Sequence, residues 1–169
     1  MKQLVLSVLV FLGFIASSYG QQNSAPKFTI TIRSWGNMFQ DDDTWTITQN
    51  SIKAETYFFS QKNTPYSKAL SQDEATRIYS YLEKIRITKL PSENVNNNAP
   101  DDKGEFTFKF KTRTYTKEIR IYVRRIESIL QLVQELNKLL PKEMQIPYNE
   151  EYLKWDKTAA NMGFTPAGQ

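Results

Sequence analysis

The stretch Glu105-Phe106-Thr107-Phe108-Lys109-Phe110-Lys111-Thr112-Arg113-Thr114-Tyr115-Thr116-Lys117-Glu118-Ile119-Arg120-Ile121-Tyr122-Val123 decides how the chain folds. From Glu105 to Lys111 every second residue is a phenylalanine. From Tyr115 to Val123, Ile119, Ile121 and Val123 alternate with polar residues. Successive strand side chains point to opposite faces, so each run predicts a strand with one apolar and one wet face. Thr112 to Thr114 turns the chain between them into a hairpin. Its outer face carries Thr107, Lys109, Lys111, Glu118, Arg120, Tyr122 and Arg124.

The period then changes. Ile126, Ile129, Leu130, Val133, Leu136 and Leu140 recur at helical spacing and predict a helix from about 126 to 140, stopped by Pro141. Burying such a stripe contributes roughly 1.5–3 kcal/mol per large side chain before entropy is counted. The phenylalanine face just before it is the nearest surface to cover.

A similar order stands upstream. Phe28 to Arg33 alternates as a strand, and Ser34 to Asp43 breaks into a loop with Gly36, Asn37 and three aspartates. Thr44 to Gln49 and Ile52 to Phe59 read as two more strands around a turn at Asn50-Ser51. Gln61 to Lys68, polar and holding Pro65, reads as a connection. Leu70-Ser71-Gln72-Asp73-Glu74 is a capping box, with Leu70 placed as a hydrophobic staple. The helix it opens buries Ala75, Ile78, Leu82 and Ile85. Ser92 to Gly104 reads as a surface loop, and Asn149 to Trp155 as a short helical turn. The fold class is therefore α+β, an antiparallel sheet of about five strands with two amphipathic helices packed on one face.

Residues 1–20 predict the address. Lys2, the apolar run Leu4 to Ile15 and the closing Ser18-Tyr19-Gly20 have the layout of an export signal cleaved near Gly20. An uncleaved anchor is the competing reading, but the apolar run is short of the about twenty residues that span a bilayer. The expected organisation is a signal peptide at 1–20, a flexible leader at 21–26, one α+β domain at 27–156 and a flexible tail at 157–169. The product is expected in the periplasm or secreted, with no stable membrane insertion. Removing Lys2 with the signal lowers the formal charge from +4 to +3. A balance that mild suits solubility, and an anionic glycan is a possible beneficiary.

The missing residue types exclude more than the present ones suggest. With no histidine there is no Ser-His-Asp triad and no imidazole metal ligand. With no cysteine there is no thiol nucleophile, thiolate zinc site or disulfide. Any catalysis rests on carboxylates, Lys, Tyr, Ser or Thr.

Asp41-Asp42-Asp43 suggests calcium, yet it lacks the alternating acids and late glutamate of a calcium loop, and a solvated turn explains it. Asp101-Asp102 beside Gly104 is ordinary turn chemistry. A carboxylate pair drawn from Asp41 to Asp43, Glu93, Asp101, Asp102, Glu150 and Glu151 would suffice for glycoside hydrolysis, but no spacing in the sequence positions one. No catalytic, cofactor or metal residue is assigned. The exposed aromatics Trp35, Phe39, Tyr57, Phe59 and Tyr66 are the candidate partner-binding residues, since aromatics on loops and outer faces suit sugar stacking or a protein partner. Folding over the sheet as a second small core is their competing role.

The strand runs, Leu70-Ser71-Gln72-Asp73-Glu74, Phe106-Thr107-Phe108, Ile119-Arg120-Ile121 and Leu136-Asn137-Lys138-Leu139-Leu140-Pro141 together resemble small uncharacterised exported proteins of Gram-negative bacteria. The resemblance covers roughly residues 27 to 148. It implies an extracytoplasmic address and transfers no functional residue. The leading expectation is a non-catalytic binding module for a protein or an anionic or cell-wall glycan, with no nucleic acid and no cofactor. A carboxylate-dependent glycan hydrolase and a structural part of an envelope assembly are the alternatives.

Overall fold

A computed structural model describes residues 26–35, 42–58, 61–97, 99 and 104–154. In chain order the strands are β1 (Phe28–Trp35), β2 (Asp43–Thr48), β3 (Ser51–Glu55), β4 (Tyr57–Phe58), β5 (Gln61–Lys62) and β6 (Tyr66–Ala69). Helix α1 (Gln72–Ile85) follows, then β7 (Glu93–Val95), β8 (Glu105–Thr112), β9 (Thr116–Tyr122) and helix α2 (Glu127–Asn137). A short helical segment occupies 150–154. Seven strands form one sheet in the order β6-β3-β2-β1-β8-β9-β7, and β4 pairs with β5 as a separate ribbon. All neighbours in the large sheet are antiparallel except β7 on β9.

The α+β class follows from the alternation. Cross-strand register places Ile30 between Ile47 and Phe110, and Ile32 between Trp45 and Phe108. The inner face is thus a continuous apolar layer. It shares one core with Ala75, Ile78 and Leu82 of α1 and Ile129, Leu130, Val133 and Leu136 of α2. The two helices also touch one another, and Leu132 is buried beside the predicted stripe.

Local chemistry fixes where each helix starts. Ser71 Oγ accepts from the Glu74 N–H at 3.2 Å, and the Glu74 carboxylate accepts from the Ser71 N–H at 2.8 Å. Lys68 Nζ reaches the same carboxylate at 2.7 Å. The Lys68 ammonium and then the Ser71 N–H hold the Glu74 carboxyl down at about 2. Helix α2 has no side-chain cap of its own. Its Ile126 N–H donates instead to the Tyr148 hydroxyl at 3.0 Å, which in turn donates to the Arg124 carbonyl at 2.7 Å. A buried tyrosine from downstream therefore pins the backbone on either side of the helix entry, at the N-cap N–H and at the carbonyl two residues before it.

Several expectations need correcting. Among the described residues the sheet has seven strands rather than about five. Ser92 to Gly104 is not wholly loop, because β7 joins the sheet alongside β9. Gln61 to Lys68 holds β5 and the start of β6. The strand expected over Ile52 to Phe59 breaks at Thr56, whose buried hydroxyl donates to Met144 Sδ at 3.1 Å and accepts from Asn63 Nδ2 at 2.9 Å. Helix α2 ends at Asn137, because the Asn137 side chain pairs with the Ile146 backbone in both directions, at 3.0 and 2.8 Å. Leu140 is buried beyond it all the same. The export signal, Phe39, Asp41, Phe59, Asp101, Asp102, Trp155 and the tail lie outside the described residues.

Candidate functional site

The outer face of the sheet is set out by the same register that builds the core. One cross-strand row reads Thr48, Thr29, Lys111, Thr116, and the next reads Lys53, Thr46, Thr31, Lys109, Glu118. A third reads Glu55, Thr44, Arg33, Thr107, Arg120, and a fourth brings Trp35 opposite Glu105 and Tyr122. Threonines on β1, β2 and β8 make a half-buried floor because directly opposed side chains pack against each other. Arg33, Lys109 and Lys111 stand exposed around it, and Trp35 is 52% exposed.

Two depressions mark the ends of the β1–β8 pair on this face. The one at the Trp35 end, about 430 Å³, is lined by Thr31, Arg33, Trp35, Thr107, Lys109 and Glu118. The other, about 360 Å³, is lined by Lys27, Phe28, Thr29, Gln49, Lys111, Thr112 and Arg113. Glu118 is the one acidic side chain lining either depression among the described residues, and it lies 3.8 Å from Lys109.

Trp35 is held from behind. A Cβ added at Gly104 would come within 2.7 Å of the Trp35 carbonyl oxygen, so glycine is what lets β8 approach the end of β1. The Gly104 carbonyl accepts from the Tyr152 hydroxyl at 2.8 Å, and that hydroxyl accepts from the Val123 N–H at 2.8 Å. Val123 sits at φ 42°, rare for a β-branched residue, at the point where β9 hands over to α2. Burial pushes the Tyr152 phenol well above its ordinary range, so it stays neutral and able to donate. The Phe106 ring meets Tyr152 and Tyr148 edge-on, at 5.0 and 5.5 Å between centroids.

The predicted partner-binding aromatics are not brought together. Trp35 lies on the outer face. Tyr66 is opposite buried Ala54, on the inner side, where it packs half-buried against the core with its hydroxyl 3.4 Å from the Leu139 carbonyl. Tyr57 is half-buried on the β4–β5 ribbon, with Lys62 Nζ 6.0 Å from its ring centre. Of the acidic cluster, the Asp43 carboxylate accepts the Tyr57 N–H at 2.8 Å. Burial raises its pKa, against that hydrogen bond. Among the described residues no group of three or more His, Cys, Asp and Glu side chains is placed to hold a metal ion. Arg33 and the β1–β2 threonines were missed as partners of Trp35. The signal was present, since Thr29, Thr31, Arg33 and Trp35 are alternate residues of one strand.

Among the described residues no helix is long and apolar enough to cross a membrane. Scanning the chain against known protein families and against curated proteins returns no match.

Proposed function

We propose that this chain is an exported, non-catalytic binding module that takes envelope polysaccharide on the outer face of its sheet. It would belong with the small exported Gram-negative proteins it resembles. The observation that carries the reading is the groove around Trp35, where an exposed indole stands beside threonine hydroxyls, a guanidinium and an ammonium. Sugar rings offer an apolar C–H face to an aromatic and hydroxyls to polar side chains, so this mixture fits them. A hydrolase would need a positioned pair of carboxylates, and the acid in the groove, Glu118, is a salt-bridge partner of Lys109.

Affinity electrophoresis through gels containing envelope polysaccharides tests it. Wild type should be retarded, and Trp35→Ala should migrate freely with an unchanged melting temperature. Retardation indifferent to Trp35 would refute the groove. Stoichiometric capture of one envelope protein, with no polysaccharide retained, would instead favour a structural role in an assembly.

A further inference from the structure

We infer that the ligand is an acidic polysaccharide, carrying carboxylates along its chain, that lies lengthwise over β1 and β8 from Trp35 to Lys111. This rests on the glycan reading above and names the class of glycan. The charge pattern carries it. Arg33, Lys111 and Lys27 form no ion pair among the described residues. Three acids of the same face are already engaged, and Glu93, on β7, lies beside Arg120 at the far edge of the sheet from β1. Glu105 lies 2.6 Å from Arg120, Glu55 2.8 Å from Lys62, and Glu118 3.8 Å from Lys109. On the strip between the two depressions Arg33 and Lys111 therefore stand without acids to answer them, while Lys109 shares its charge with Glu118.

Its dimensions suit a chain rather than a single small anion. Trp35 and Thr29, the residue opposite Lys111, are six residues apart on β1, roughly 20 Å at about 3.3 Å per residue. Alternate residues lie roughly 6.7 Å apart along a strand, so Lys109 and Lys111 meet successive anionic groups on one side of a polymer. Arg33 can take a carboxylate through two parallel N–H bonds, which a phosphate-free uronate chain supplies repeatedly. The threonine hydroxyls between them both donate and accept, matching sugar hydroxyls. One exposed indole is too few for single-stranded nucleic acid, whose nonspecific binders stack successive bases on several aromatics.

The test compares three probes on the full chain by isothermal titration at low and moderate salt. They are a polyuronate, the same polymer with its carboxyls reduced to alcohols, and single-stranded DNA of equal charge. The polyuronate should bind at least about tenfold more tightly than the other two, and weaken with salt. Arg33→Ala with Lys111→Ala should cost about tenfold in polyuronate affinity and leave the neutral polymer unaffected. Lys84→Ala, which removes one positive charge from an exposed position on α1, should change nothing. Thermal melts of all variants should match wild type. Equal binding of the charged and reduced polymers would overturn the acidic-ligand inference and leave the glycan reading standing. Equal binding of DNA, or an equal loss in Lys84→Ala, would reduce the face to a nonspecific cation surface and overturn it as well. Failure of both polymers to bind would take the glycan reading down too.

Discussion

Ile30, Ile32, Trp45, Ile47, Phe108 and Phe110 on the inner face of the sheet show 0% exposure. One residue along on the same three strands, Thr29, Thr31, Thr46, Lys109 and Lys111 are half-buried or exposed. The two faces share a backbone and a register, yet they answer to different constraints. Inner positions are held by close packing, where even one lost methylene is felt. Outer positions need only tolerate water and suit a strand. Seven threonines, three lysines and two arginines on the outer face of β1, β2, β3, β8 and β9 are more specific than that requirement demands. That surplus is where a binding role can reside without disturbing the fold.

Phe108→Ala should break the contrast most severely. It opens a cavity between β1, β9 and the aromatic cluster around Tyr148, and should cost about 3–5 kcal/mol in urea denaturation. Tyr152→Phe comes next. It strands the Val123 N–H and the Gly104 carbonyl, and should cost about 1–3 kcal/mol by the same measurement. Because Gly104 backs Trp35, glycan affinity should fall as well, which links the inner aromatic cluster to the outer groove.

Ser71→Ala should cost about 1 kcal/mol by loss of the helix cap. The Glu74 half of that box carries a pH signature. Its folded pKa of about 2 lies below the usual 4.5, so its contribution is fully present above the usual value and disappears as pH falls through 2. The stability gap between wild type and Glu74→Gln should therefore close between pH 5 and pH 2 in denaturation curves. A gap that stayed constant over that range would show the pairing to be worth nothing.

The smallest effects belong to the outer face. Thr46→Val and Lys111→Ala should each shift stability by no more than about 0.5 kcal/mol. Only Lys111→Ala should also weaken polyuronate binding. Destabilisation by Lys111→Ala comparable to that of a core change would erase the distinction between the faces.

The hairpin of β8 and β9 and both helices could be read from residue order because each has a strong local period, and the α1 start because its cap is four residues long. Strand β7 could not. It is three residues with no alternation, and it exists because the Arg120 N–H donates to the Ser92 carbonyl at 2.8 Å and the Asn96 N–H to the Tyr122 carbonyl at 2.9 Å. Strand β6 was hidden by Lys68, which occupies an inner-side position opposite Ile52 and is tolerated because it reaches Glu74. The candidate site was half visible. Trp35 stood out as an aromatic, whereas its neighbours Thr107 and Lys109 come from a strand about seventy residues away in the chain.

Periodicity determined which residues of β1, β2, β8 and β9 would be inside, because burying alternate apolar side chains is the dominant favourable term on those strands. Composition, with no histidine and no cysteine in the sequence, excluded imidazole and thiol chemistry. Tertiary structure decided that β1 lies between β2 and β8, and so which outer residues became neighbours. Strand order depends on contacts between distant segments, and no local pattern in the chain encodes it.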